Sequence, residues 1–118
     1  MKTIGGSIMK TIQLVDELSE YDIENLNKNR PLDIAVDVLI YCYHDGGYDG
    51  YGVAVYLDSN GGWHLDEISH CSCNGAFDEG FNKISYTMPQ IIKLLEKRAS
   101  ESWRADDYRS VLKALEEV

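Results

Sequence analysis

The middle of the chain alternates between short apolar runs and turn signals. Residues 33–43, 48–57 and 63–69 are rich in β-branched and aromatic side chains, and each run has the length of one strand. The runs are separated by a His-Asp-Gly-Gly segment at 44–47 and by an Asn-Gly pair at 60–61, which both favour tight turns. Three strands joined in this way predict an antiparallel meander.

Helical patterns follow the meander and precede it. Thr87 and Gln90 have the spacing of a capping box, which predicts a helix that runs to about residue 99. A second amphipathic stretch covers residues 105–117, and residues 11–29 carry apolar positions typical of one or two short helices. The predicted fold class is α+β: a small antiparallel β-meander packed against C-terminal helices, with a short N-terminal helical segment.

Two smaller features concern the strands. Gly50 and Gly52 interrupt the start of the second predicted strand, which indicates a bulge or a close approach of another backbone. Residues 81–86 predict a further short strand before the capping box.

The length of 118 residues fits one domain, and 44% hydrophobic residues suffice for a modest core. The first four residues, MKTI, recur at positions 9–12. We therefore expect a leader or a cloning scar over residues 1–8 and a single α+β domain over 9–118. There is no apolar run of about 18 residues and no secretion signal, and three cysteines is an odd number. These features predict a cytoplasmic protein that does not span a membrane.

The net charge of −9 is concentrated in one block. Residues 31–80 contain nine Asp or Glu and no Lys or Arg, whereas the flanking segments are nearly neutral. Such a block repels nucleic acid and favours a protein with a basic surface as partner. A solvated acidic face that maintains solubility is the alternative. The candidate partner-binding residues are Asp33, Asp37, Asp45, Asp58, Asp66, Glu67, Asp78 and Glu79.

A histidine and two cysteines follow the third predicted strand, in the motif SHCSCNG at residues 69–75. In an extended segment Cys71 and Cys73 project to the same face, where both thiolates can bind one zinc ion. Counting outward from Asn60 places Asp49 opposite residue 71 in the hairpin. The predicted zinc ligands are Asp49, His70, Cys71 and Cys73.

The sequence leaves other uses of these side chains open. The two cysteines of the motif can be small buried residues at a strand end. A nucleophilic or redox role is disfavoured, because the acidic surroundings raise the pKa of a thiol. Cys42 lies between two tyrosines in a buried strand and is predicted to be a core residue, whereas His44 stays a candidate ligand. By the same count from Asn60, His64 lies opposite residue 56, at the other end of the hairpin, and is therefore a poor candidate for a zinc ligand.

Residues 41–95 resemble a group of small phage-encoded proteins. The resemblance rests on Tyr48-Asp49-Gly50, an apolar strand, a turn with Gly61-Gly62-Trp63 and the SHCSCNG motif, and it departs at Asn74, where the pattern has an aromatic residue. In general character the chain is also similar to anti-CRISPR inhibitors of type II effector nucleases such as Cas9. This resemblance implies a basic nucleic-acid channel of a host defence protein as the partner.

Three functional hypotheses follow. The first is a non-enzymatic phage or mobile-element inhibitor with a structural zinc site, which binds a basic surface of a host defence protein. The second is a zinc-dependent hydrolase with a general base such as Glu67. The third is a metal-free accessory binding domain.

Overall fold

The computed structural model describes residues 10–29, 36–47, 49–70, 84–101 and 104–118. Its elements are β1 (Lys10–Val15), α1 (Glu20–Asn29), β2 (Val36–Asp45), β3 (Gly50–Asp58), β4 (Trp63–His70), α2 (Met88–Glu101) and α3 (Ala105–Glu116). The strands form one sheet in the order β1-β2-β3-β4, and α2 and α3 pack against it. The predicted α+β class with C-terminal helices is confirmed.

The predicted meander and its register are confirmed. β2, β3 and β4 pair in antiparallel fashion, with Gly50 opposite His70 and Tyr56 opposite His64. This is the register obtained by counting outward from Asn60. The turn fits the sequence because Gly61 has a φ of +90°, a conformation that glycine adopts without strain.

The two glycines of β3 allow close approach of neighbouring groups, as the sequence predicts. A Cβ atom at Gly52 would overlap the carbonyl oxygen of Cys42, and one at Gly50 would overlap the Tyr43 hydroxyl. The start of β3 therefore packs tightly against the end of β2, where the candidate site described below is located.

The β3–β4 turn is held by the carboxylate of Asp58. Its Oδ1 accepts hydrogen bonds from the backbone N–H groups of Asn60 at 2.8 Å and Gly62 at 3.0 Å, and its Oδ2 lies 2.7 Å from His64 Nε2. Burial by itself raises the pKa of Asp58, but the hydrogen bonds from His64 and the two backbone groups outweigh it, so the pKa lies below its usual range. Asp58 is one of the residues predicted to contact a partner, but both of its carboxylate oxygens are hydrogen-bonded within the hairpin.

The helical prediction for residues 11–29 is wrong in its first part. Residues 10–15 form β1, which pairs in parallel with β2 and makes the four-stranded sheet mixed. Ile12 and Leu14 are half-buried while Thr11, Gln13 and Val15 are exposed, so the true period is two. Val15 is 60% exposed and ends the strand. The second part of the prediction holds, because α1 follows and the Ser19 hydroxyl accepts a hydrogen bond from the Asp22 N–H at 3.2 Å.

The capping box at the start of α2 is confirmed. The N–H of Thr87 donates to Gln90 Oε1 at 2.9 Å, and the N–H of Gln90 donates to Thr87 Oγ1 at 3.3 Å. Just before it, Tyr86 forms a single β-bridge with Trp63. In the rest of the strand predicted over residues 81–86, Ile84 and Ser85 have no regular secondary structure, and residues 81–83 lie outside the described residues.

The sheet has a buried core on each face. One face packs against α2 and α3, and the other is rich in tyrosine. The helix-side core includes Val38, Ile40, Cys42, Val53, Val55, Leu65, Ile91, Leu95, Tyr108, Val111 and Leu115. The tyrosine-side core includes Leu18, Leu39, Tyr41, Tyr43, Ala54, Tyr56 and Ile68.

Replacing Asp58 by Asn tests the role of this carboxylate in the turn. Because its folded-state pKa is lowered from an unfolded value of about 3.9, the ionised form stabilises the fold above that pH, and the stabilisation is lost as the pH falls through the folded-state pKa. We expect Asp58→Asn to lower the free energy of unfolding by about 1–2 kcal/mol at pH 7 and by less at pH 3. Urea unfolding of both proteins across this range measures the difference, and parallel pH profiles would contradict the assignment.

Candidate metal centre

Two metal-ligating residues lie next to each other on the helix-side face of β2. Cys42 and His44 are two positions apart, so both side chains project toward α3. Cys42 is opposite Val53 and His44 is opposite Tyr51 in the neighbouring strand. The Cys42 side chain belongs to the core, as the sequence predicts, since only 1% of its surface is exposed.

The third residue comes from the first turn of α3. Asp107 is the third residue of this helix, where a negative charge interacts favourably with the helix dipole. Because α3 crosses β2, the Asp107 carboxylate lies over the two strand residues. Residues 42, 44 and 107 therefore form a three-residue group, the Cys-His-Asp cluster, whose ligand atoms all lie within 4.8 Å of one another.

The separations are near those of ligands on one metal ion. His44 Nε2 lies 2.7 Å from Asp107 Oδ1, and Cys42 Sγ lies 3.5 Å from Asp107 Oδ1 and 3.9 Å from His44 Nε2. On a tetrahedral zinc ion, nitrogen and oxygen ligands are about 3.3 Å apart and pairs that include sulfur are about 3.6 Å apart. The cluster reaches that geometry if the histidine and the aspartate separate by about 0.6 Å.

The Asp107 carboxylate is buried and incompletely satisfied. The residue is 6% exposed, and Oδ1 takes the contacts with both Cys42 and His44. Oδ2 is buried and has no hydrogen-bond partner among the described residues. A buried charged oxygen without a partner is costly, and a bound cation removes that cost. The group can therefore hold a metal ion.

The Cys42 thiol is protonated at neutral pH in the absence of a cation. Burial, followed by the neighbouring carboxylate of Asp107, raises the pKa of this thiol to about 12. A thiol of this kind is a poor nucleophile, and a metal ion that binds it must displace its proton. The environment thus favours metal ligation over nucleophilic chemistry at Cys42.

Aromatic and cationic neighbours support the exposed side of the cluster. The His44 ring stacks on Tyr51 with centroids 4.9 Å apart, and the Arg104 guanidinium carbon lies 5.2 Å from the centre of the Tyr51 ring. Arg104 also donates to the Gly52 carbonyl oxygen at 2.7 Å. These contacts fix the orientation of the imidazole and connect the start of α3 to β3.

The zinc site predicted from the sequence lies mostly outside the described residues. That holds for Cys71, Cys73 and the side chain of His70. Asp49 is described and exposed, directly before the pair formed by Gly50 and His70. The register that brought Asp49 toward the motif is correct, but the prediction of a metal site there stays a prediction.

The predicted partner-binding residues occupy different environments. Asp45 is exposed at the end of β2. Asp66 accepts a hydrogen bond from the Tyr56 hydroxyl at 2.7 Å, and Glu67 accepts one from Tyr108. The remaining residues of this set are Asp37, half-buried in β2; Asp58, in the β3–β4 turn; and Asp33, Asp78 and Glu79, outside the described residues.

Sequence reasoning offers His44 and Cys42 as candidate ligands, favours a core role for Cys42, and does not identify Asp107. Cys42 and His44 have the spacing of two ligands on one strand face, a signal that the prediction of a core cysteine set aside. Asp107 is 63 residues from His44, and nothing in the local sequence distinguishes it from Asp106. Only the packing of α3 on β2 identifies it.

Comparisons with family models, curated proteins and solved structures find no match to this chain. In the described part of the chain, no helix has the length and apolar character needed to cross a membrane. The cluster is therefore interpreted from its own geometry.

Replacing Asp107 by Asn tests whether Asp107 is a metal ligand or only a hydrogen-bond acceptor within the fold. A ligand at about 100 times its dissociation constant raises the free energy of unfolding by about 2.7 kcal/mol. We expect zinc to have this effect on the wild type and not on the variant. In chelator the two proteins should melt alike, because asparagine keeps an oxygen toward His44 and removes a buried charge. Asp106→Asn, in the adjacent and exposed position, is the control. Thermal unfolding with chelator and with zinc measures both effects, and a loss of several kcal/mol in chelator would contradict the ligand role.

Proposed function

We propose that this protein is a non-enzymatic interaction module that carries a structural zinc ion at Cys42, His44 and Asp107. In this proposal an acidic surface binds a basic surface of a partner protein. As the resemblance to phage proteins and to anti-CRISPR inhibitors implies, the partner is a host defence protein such as a CRISPR effector nuclease. The protein then acts as a phage-encoded inhibitor in the host-cell cytoplasm.

The single observation that carries the metal proposal is the buried, unpartnered Oδ2 of Asp107 beside a thiol and an imidazole. A set of sulfur, nitrogen and carboxylate ligands suits zinc, whereas magnesium and calcium prefer oxygen ligands alone. The ion joins α3 to β2, because its ligands come from both elements. The three side chains would supply three of the four ligands that zinc prefers, and a water molecule would supply the fourth.

The surroundings of the cluster favour a structural role over hydrolysis. A zinc hydrolase needs a general base within hydrogen-bond reach of the metal-bound water. Glu67 is opposite Val53, which is opposite Cys42, so two strand spacings of about 4.8 Å each separate it from the cluster. Its carboxylate also accepts a hydrogen bond from Tyr108 and lies 3.8 Å from Arg98. These contacts argue against Glu67 as the base of a reaction at this site.

The charge distribution supports a basic partner. At the end of the sheet where β2 meets β3, burial and then four carboxylates raise the pKa of the Tyr43 hydroxyl. The four carboxylates are those of Asp45, Asp22, Asp49 and Asp16. The negative potential at this end attracts cationic groups and accelerates their association.

Metal content tests the zinc proposal and distinguishes the two sites. Protein made without chelators should contain about one equivalent of zinc by elemental analysis. Cys42→Ser should reduce the zinc content strongly, whereas the double variant Cys71→Ser/Cys73→Ser should retain it. The opposite pattern would assign the metal to the SHCSCNG motif, and absence of zinc from the wild type would rule out the proposal.

Salt dependence tests the partner proposal. A complex captured from host lysate and reconstituted from purified proteins should weaken by about tenfold or more between 0.1 and 0.5 M NaCl, because salt screens exposed charges. Asp45→Lys/Asp49→Lys should weaken it further at low salt. Affinity that is indifferent to both changes would contradict an electrostatic interface.

A further inference from the structure

β1 is an outer strand of the sheet, and no described residue pairs with its free edge. One edge of β1 bonds to β2 from Lys10↔Val38 to Val15↔Tyr43, which leaves the other edge with outward backbone N–H and C=O groups. Natural edge strands are commonly protected by charged side chains, prolines or bulges. In β1 only Lys10, at its first position, is charged. The edge is therefore competent to pair with another strand.

An acidic cavity lies on one side of this edge. It has a volume of about 550 Å³, and its polar lining comes from Thr11 and Gln13 of β1 and from Glu17, Glu20 and Glu24. The rest of the lining is formed by Leu18, Ile23 and Tyr41. Glu20 and Glu24 are one helical turn apart on α1 and are both exposed. No lysine or arginine lines the cavity. It therefore suits the cationic head of a basic side chain.

A groove that is more apolar lies on the other side of the same edge. Its volume is about 340 Å³, and Ile12 and Leu14 of β1 line it. The other lining residues are Ser110, Lys113 and Ala114 of α3 and Glu117, which follows α3. Ile12 and Leu14 are half-buried, so part of their apolar surface faces this groove. Burial of this apolar surface by a partner would stabilise a complex.

The backbone at the end of β1 is strained. Val15 has a φ of +72°, which is rare for a β-branched residue, and its side chain is 60% exposed. Backbone strain of this kind is found disproportionately at binding sites. The following residue, Asp16, accepts a hydrogen bond from the Asp45 N–H at 2.8 Å. Asp16 directly precedes Glu17, a residue that lines the acidic cavity.

We propose that β1 is the docking edge for an extended segment of a partner protein in which basic and apolar residues alternate. Successive side chains of a strand project to opposite faces, so a segment added beside β1 places one set in the acidic cavity and the other set against Ile12 and Leu14. The basic side chains interact with Glu17, Glu20 and Glu24. The inference rests on the proposed function only for the basic character of the partner and does not depend on zinc.

The test uses a labelled eight-residue peptide of alternating arginine and valine. Its control has the same composition with four arginines followed by four valines. Fluorescence anisotropy should show the alternating peptide binding at least tenfold more tightly than the block peptide. Hydrogen exchange of the backbone amides of residues 10–15 should become slower in the complex. Equal binding of the two peptides, or protection confined to another part of the sheet, would overturn the inference.

Charge reversal locates the binding site. Glu20→Lys/Glu24→Lys should weaken binding of the alternating peptide at least tenfold, whereas Glu96→Lys/Glu101→Lys on α2, equally exposed and equal in charge change, should alter it by less than twofold. Circular dichroism and melting temperature verify that each variant folds. The two proposals can fail separately. If Asp45→Lys/Asp49→Lys weakens a salt-sensitive complex with the partner and Glu20→Lys/Glu24→Lys does not, β1 is not the docking edge. The proposal of a partner with a basic surface is then retained.

Discussion

The contact of Asp107 with Cys42 and His44 connects the helical layer to the sheet. The remaining contacts between α3 and β2 are largely those of an apolar core, in which any shape-compatible side chains would serve. A carboxylate buried at this point has a large desolvation cost, and one of its oxygens has no hydrogen-bond partner in the described part of the chain. A cation bound by the three side chains would compensate the buried charge. It would also link α3 to the sheet. In the proposed zinc-bound state the ion would hold the first turn of α3 against β2.

This cross-link would also influence the surface of the protein. His44 is stacked on Tyr51, and the next residue along β2, Asp45, is bonded to Asp16 at the end of β1. The end of the sheet that carries Asp16, Asp45 and Asp49 thus begins one residue beyond a proposed metal ligand. In the proposed zinc-bound state, fixing that end would lower the entropy that is lost when a partner binds, so the ion would contribute to affinity without contacting the partner.

Local sequence signals predicted much of the fold. The Asn-Gly pair at 60–61 determined the hairpin register, and Thr87 with Gln90 located the start of α2, because both are interactions between near neighbours. β1 was misread because six residues offer too few positions to separate a period of two from a helical period. Its pairing with β2 depends on contacts across the intervening α1. The Cys-His-Asp cluster was missed for the same reason: Asp107 reaches β2 only after the helix has packed.

X-ray absorption at the zinc edge tests the central claim most directly. The account predicts a zinc ion with one sulfur neighbour at about 2.3 Å and the remaining neighbours nitrogen or oxygen at about 2.0–2.2 Å, because Cys42 is the only sulfur ligand of the cluster. Two sulfur neighbours for each zinc ion would instead identify the paired cysteines at positions 71 and 73. That result would contradict the assignment of the metal to the cluster between β2 and α3.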